Sequence, residues 1–228
     1  MEINISQRLL DVASFVPKES RLLDVGSDHA YLPMHLIKNG WITFAIAGEV
    51  VEGPYRSAIT NVQQSGLSDQ ITVHLADGLS AFSEEDRISC ITISGMGGRL
   101  ISDILEAGKG KLSQIERLVL QPNNCEDELR LWLMENHFKI VSEKIMIESG
   151  KFYEIIVAEQ GQMILSDHQR RFGPFLSQEK SDVFLERWQR DLNKLEVALA
   201  KIPLGNETDR FAIKMKINLI KEAIISEG

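Results

Sequence analysis

Between residues 21 and 159 strand-length apolar runs alternate with helical stretches, and nothing else in the chain narrows its fold as much. Residues 21–25 (RLLDV), 43–49 (TFAIAGE), 71–76, 88–94 and 117–121 (RLVLQ) read as five strands. Residues 31–39, 55–65 and a segment starting at 100–105 read as helices, with Gly40 and Gly66 as stops. Parallel strands need long crossover connections, so this alternation predicts βαβ units and a mainly parallel sheet. A helix over 126–136 and two strands near 139–148 and 152–159 follow. Their short link, Glu148-Ser149-Gly150-Lys151, makes them a hairpin that adds an antiparallel edge. Ahead of the sheet, Ile5, Leu9, Leu10, Val12, Ala13 and Phe15 share a helical face that Pro17 ends.

After about residue 165 no strand-like run occurs. Phe184, Trp188, Leu192, Leu195, Leu199 and Ile202 recur at heptad-like spacing. Pro203-Leu204-Gly205-Asn206 breaks the helix, and Ile213, Ile217, Ile220 and Ile224 resume the pattern. Two such helices form an antiparallel hairpin whose stripes bury against each other. The expected division is therefore an α/β domain over 1–163 and a coiled-coil-like helical domain over 164–228. The net charge of −8 is divided in the same way. Residues 1–165 carry 14 basic against 23 acidic residues, and residues 166–228 carry 11 against 10. The C-terminal third thus permits a polyanionic partner.

Hydrophobic residues make up 43% and charged residues 25% of 228, which excludes a disordered or collagen-like chain. No apolar window approaches the length of a membrane span, and the opening residues lack a signal peptide's basic start and apolar stretch, so a cytoplasmic protein is expected. Cys90 and Cys125 match no metal spacing and are expected to be free thiols.

The chemistry-bearing residues fall at the strand ends. The first strand runs into Asp24-Val25-Gly26-Ser27-Asp28-His29-Ala30-Tyr31. A carboxylate, a glycine turn and a helix start form the nucleoside-binding geometry of Rossmann-like sheets. The pattern lacks the further glycines of a pyrophosphate cradle, and Asp24 and Asp28 put acid where phosphate would sit. A ligand bearing an ammonium and a sulfonium, such as S-adenosylmethionine, suits it better. Glu49, at the end of the second strand, suits ribose hydroxyls, because a carboxylate accepts two hydrogen bonds side by side. Asp77, in the Ala76-Asp77-Gly78 turn, can accept from an adenine amino group. Ser94-Gly95-Met96-Gly97-Gly98 ends the fourth strand with backbone access and an apolar slot.

The runs DVGSDHAYLP (24–33), AGE (47–49), GP (53–54), ADGL (76–79), ISGMGG (93–98), ILEAGK (104–109) and LQPN (120–123) resemble the bacterial TrmK family, across essentially the whole chain. These are class I S-adenosylmethionine-dependent methyltransferases acting on N1 of adenosine 22 in tRNA. The resemblance implies a Rossmann-like domain with a seven-stranded mixed sheet plus the helical hairpin. It implies that Asp24, Gly26, Asp28 and His29 shape the methionine end of the cofactor site. It places Glu49 and the adjoining Val50 at the ribose, Asp77 and Gly78 on the adenine side, Gly95 and Met96 at the pocket floor, and Arg8 at the cofactor carboxylate. Asp28, His29 and Tyr31 are the candidates near the transferred methyl, Tyr31 as a stacking partner for the base. No N/D-PP-Y/F tetrapeptide is present, which fits a ring-nitrogen target. Adenine N1 has an in-plane lone pair, so alignment of the two reactants rather than a base is what the reaction needs.

The tRNA would bridge the cofactor cleft and the hairpin, with Arg170, Arg171, Lys180, Arg187, Arg190, Lys194, Lys214 and Lys216 on its phosphates. The same fold leaves open a methyltransferase acting on another RNA or a small molecule, and a non-catalytic nucleotide- or RNA-binding module.

Overall fold

The computed structural model describes residues 5–225; residues 1–4, part of the leader reading, and 226–228 lie outside the described residues. Seven strands form one sheet in the order β3-β2-β1-β4-β5-β7-β6. They are β1 (Arg21–Val25), β2 (Phe44–Glu49), β3 (Ile71–Leu75), β4 (Cys90–Met96), β5 (Arg117–Pro122), β6 (Phe138–Glu148) and β7 (Lys151–Gln160). The first five are parallel, and β7 joins β5 antiparallel. Helices cover both faces, so the central strands are apolar on both sides, and this is why they read as continuous runs.

One face packs Leu22, Ala45, Ala47, Cys90 and Val119 against α1 (Gln7–Phe15), α2 (Tyr31–Lys38) and α3 (Glu52–Gln64). The other packs Leu23, Ile91, Ile93 and Leu118 against α4 (Gly98–Ala107) and α5 (Glu126–Glu135). Helix α3 begins three residues before the expected start. Pro54 lies in its first turn, where backbone N–H groups have no intrahelical acceptor and a missing one costs nothing. Strand β4 runs two residues past Ser94, through a register shift at Ser94/Met96 with Gly95 at φ +78°.

Beyond the sheet come α6 (Asp167–Phe172), α7 (Leu176–Glu179), α8 (Asp182–Lys201) and α9 (Glu207–Ile224). The two short helices carry no apolar period. A capping box in which Ser166 and Gln169 satisfy each other's backbone N–H groups starts α6. Helices α8 and α9 pair as expected, but their stripes do not bury only against each other. Phe184, Trp188 and Leu192 of α8 share a core with Phe172, Leu176 and Ile145 of β6. The hairpin is therefore seated on the sheet edge, while Val197, Leu204 and Phe211 farther along it are exposed. No helix among the described residues is long and apolar enough to cross a membrane. Cys90 and Cys125 are free.

Beneath this seat lies a buried ionic network. Arg130 of α5 has no exposed side-chain surface and bonds Glu143 of β6 and Glu154 of β7. Glu154 also receives Arg187 of α8, which reaches Glu126 at 3.0 Å. Glu143 accepts the backbone N–H of Phe175 at 2.9 Å. Replacing Arg130 by alanine strands two buried carboxylates, so chemical denaturation should show a loss of about 3–5 kcal/mol. Removing exposed Arg56, paired with Glu52 at 2.7 Å on α3, should leave the midpoint nearly unmoved.

Candidate functional site

The carboxyl ends of the parallel strands β1 to β5 lie on one edge, and the loops there carry most of the expected site residues. Asp24 is buried, with one carboxylate oxygen accepting from Ser27 Oγ and the other from Thr92 Oγ1, each at 2.6 Å. Burial outweighs these bonds, and with Glu49 and Asp28 nearby the pKa is pushed up to about 6. Gly26 (φ +66°), Asp28 (+38°), His29 (+68°) and Ala30 (+61°) place nearly the whole turn in left-handed backbone. The three non-glycine residues are costly there and persist only because neighbours hold them. The Asp28 N–H bonds Glu49 and Asn61 Nδ2 donates to the His29 carbonyl at 3.1 Å.

Glu49 is buried, and its Oε1 has no hydrogen-bond partner among the described residues. Its pKa is raised, chiefly by burial. Ser94 Oγ, two strands away on the same edge, is likewise buried and unpartnered. Such groups are costly unless something satisfies them, and these two lie on the edge where the strand-end residues gather. Beyond Glu49, Val50, Leu75, Ala76 and Asp77 line a shallow cleft of about 430 Å³.

Two glycines at this edge are demanded by packing. A Cβ on Gly78 would meet Ile104 Cγ2 at 2.9 Å, and one on Gly98 would meet the Asn124 carbonyl at 2.8 Å. These two admit close packing of α4 and of the β5–α5 loop. At Gly26 the obstacle is the flexible Met96 methyl, so backbone conformation is the stricter demand there.

Asp28 is largely exposed and approaches His29 Nε2 at 3.4 Å. The His29 and Tyr31 rings lie 5.5 Å apart, and Tyr31 packs half-buried against the core under α2. Arg8, from the first turn of α1, donates to Gln121 Oε1 and lies over the Tyr153 ring at 5.5 Å. Gln121 is wholly buried, and its Oε1 also accepts the Gly95 N–H at 3.0 Å. Gln121, Asn123 and Ser94 were given no role by sequence reasoning, although all three fall in the strand-end runs LQPN and ISGMGG.

Among the expected phosphate contacts, Arg187 is a correction. Its side chain is 15% exposed and held between Glu126 and Glu154, so it is a buried ion-pair partner rather than a free surface charge. Arg170 is paired with Asp167, Lys180 with the Ile225 carbonyl, Arg190 with Glu186 and Lys194 with Asp191. Arg171, Lys194 and Lys216 line a groove of about 570 Å³ between α6 and the hairpin.

Comparison with known proteins decides the family. The TrmK family model, described as tRNA (adenine(22)-N(1))-methyltransferase, matches residues 22–224. The chain belongs to the TrmK family. A tRNA (adenine(22)-N(1))-methyltransferase of Bacillus subtilis is 40% identical, over 98% of each chain. A putative tRNA (m1A22) methyltransferase of Streptococcus pneumoniae, solved in complex with S-adenosyl-L-methionine, is 57% identical with a TM-score of 0.92, over 97% of this chain and 100% of that one. The M. capricolum TrmK, solved with S-adenosyl-homocysteine, is 28% identical with a TM-score of 0.87, over 96% and 97%. Sheet and hairpin together therefore superpose on both solved structures.

The raised pKa of Asp24 has a definite sign in stability. The folded state holds this proton more tightly than the unfolded chain, so the contribution is full below about pH 4 and is lost as pH rises through about 6. Thermal melts of Asp24→Asn and wild type without ligand should therefore diverge over that window, the variant gaining relative to wild type.

Proposed function

We infer that the chain transfers a methyl group from S-adenosylmethionine to N1 of adenosine 22 in tRNA. The observation that carries this reading is the unpartnered, buried Glu49 Oε1 at the ribose position of a TrmK-family sheet edge. Cofactor hydroxyls fit that oxygen, and the buried Ser94 hydroxyl offers a second polar contact. Bound there, the cofactor supplies an electrophilic methyl group on a sulfonium.

The remaining assignments follow from position. Asp24, Gly26, Asp28 and His29 surround the methionine end. Val50 adjoins Glu49 at the ribose, and Asp77 and Gly78 bound the adenine side. Gly95 and Met96 form the floor, with the Met96 methyl above Gly26. Arg8 lies 3.7 Å from where a Cβ on Gly95 would sit, a suitable place to meet a carboxylate. Asp28 offsets positive charge as N1 is alkylated, and His29 and Tyr31 wall the same side. Residues 1–163 form the cofactor domain and 164–228 the tRNA-binding helical domain. Arg170, Arg171, Lys180, Arg190, Lys194, Lys214 and Lys216 contact phosphate, since surface ion pairs of the kind Arg170, Arg190 and Lys194 make are weak and exchangeable.

Methyl-labelled cofactor and unmodified bulk tRNA test the reading, with nucleosides identified after digestion. N1-methyladenosine at position 22 is expected; label in another nucleoside, or none, overturns it. Glu49→Ala should weaken cofactor binding by about 1.5–3 kcal/mol in calorimetry, as a charged hydrogen-bond acceptor is lost. Changing Lys214 and Lys216 to alanine should flatten the dependence of log Kd for tRNA on log salt concentration, because fewer counterions are released.

A further inference from the structure

The runs that end β4 and β5 are joined by a chain of amide hydrogen bonds. Arg8 and the Gly95 N–H both donate to Gln121 Oε1, and neither can accept. This fixes which end of the buried Gln121 amide is oxygen. Its Nε2 then donates to the Pro122 carbonyl at 2.9 Å and to Asn123 Oδ1 at 3.1 Å. Asn123 Oδ1 is fixed as an acceptor in turn, and Nδ2 donates to the Gly95 carbonyl at 2.7 Å. The Asn123 backbone N–H is tied to the Met96 carbonyl, also at 2.7 Å.

Asn123 is exposed, and its amide, with oxygen and nitrogen assigned by these bonds, keeps one N–H and one lone pair beyond them. It lines a cavity of about 540 Å³ between the β6–β7 turn and α8, within the range of small-ligand sites. Tyr153 lines the same cavity, half-buried, with Lys151, Arg190 and Lys194 toward solvent. The cavity adjoins Gly95 and Met96, the end of the strand next to the cofactor edge.

Methylation at N1 demands that the Watson–Crick edge of adenine face the methyl donor. The N6–H and N7 edge is then free to be read. A donor beside an acceptor is what an asparagine amide offers, and asparagine pairs bidentately with adenine N6 and N7. Guanine presents two acceptors there, so its O6 would oppose Oδ1. We propose that Asn123 selects the acceptor adenine by its N6/N7 edge, in a cavity where Tyr153 stacks on the base, and that Gln121 is the positioning residue that orients the Asn123 amide. The inference rests on the adenosine-N1 reading above and adds the residue that recognises the base.

The test is a chemical double-mutant cycle on wild type and Asn123→Ala. Each is assayed with synthetic tRNA carrying adenosine or 7-deazaadenosine at position 22, the latter lacking only the N7 acceptor. Wild type should lose roughly 3- to 10-fold in kcat/KM on the deaza substrate, the effect of one hydrogen bond. Asn123→Ala should be slower on adenosine, bind S-adenosylmethionine as wild type does, and show no further loss on 7-deazaadenosine. Gln121→Ala, with Asn123 intact, should also lose sensitivity to N7. A deaza penalty that persists in Asn123→Ala, or a wild type indifferent to N7, overturns the proposal while leaving the N1 activity standing. A wild type that methylates neither tRNA overturns the activity as well.

Discussion

A guanidinium with no exposed surface fixes how the two parts of this molecule meet. Arg130 is surrounded by protein, and its charge is tolerable only because Glu143 and Glu154 close on it from adjacent strands. The burial that would strip the proton from Arg130 is overcome by the two carboxylates, and its pKa is raised. Burial raises the Glu143 pKa, and the Arg130 charge beside it pulls the other way. Arg187 completes the set from α8. Gly173, at φ +82°, passes so close that a Cβ would lie 2.6 Å from Glu143 Oε2 and 2.9 Å from Arg130 Nη2. Helix α5, strands β6 and β7, the 173–176 turn and α8 are thus tied to one point. An apolar core tolerates small slips between helices; hydrogen-bonded charges in low dielectric do not.

That anchoring has a bearing on the site. Strand β7 continues from Glu154 to Tyr153 and the turn at Gly150, and α5 follows directly on the Asn123 loop. The wall of the proposed base cavity is therefore built on the same elements that hold the helical hairpin. At the other end, the β1–α2 turn is held by Asp24, Ser27 and Thr92 on one side and Glu49 on the other. The two halves of the edge, the proposed cofactor side and the proposed acceptor side, are each tied to the sheet by side-chain hydrogen bonds.

The sheet was legible in sequence because both faces of its central strands are covered, which writes them as unbroken apolar runs. The strand-end positions of Asp24, Glu49 and Asp77 followed from topology alone. The ionic network was not legible. Arg130, Glu143, Glu154 and Arg187 look in sequence like solvated charges, and Arg187 was expected on a phosphate for that reason. Helices α6 and α7 were missed because a capping box and a glycine turn, not an apolar period, define them. Gln121 and Asn123 lay in a run whose position was suggestive. Their chemistry depends on Arg8 and Gly95, distant in sequence, and only the fold brings those donors to one oxygen.

The hairpin is held at its base and exposed at its far end, where Leu204 and Phe211 face solvent. From Arg187 to the end of α8 at Lys201 a helical rise of about 1.5 Å per residue gives an arm roughly 20 Å long. An arm of set length and direction acts as a gauge. A polyanion seated on the proposed phosphate contacts would present to the proposed cofactor edge only what lies at the matching span along its own surface, so an arm of this length would choose a position in a folded RNA by distance, without reading any base there.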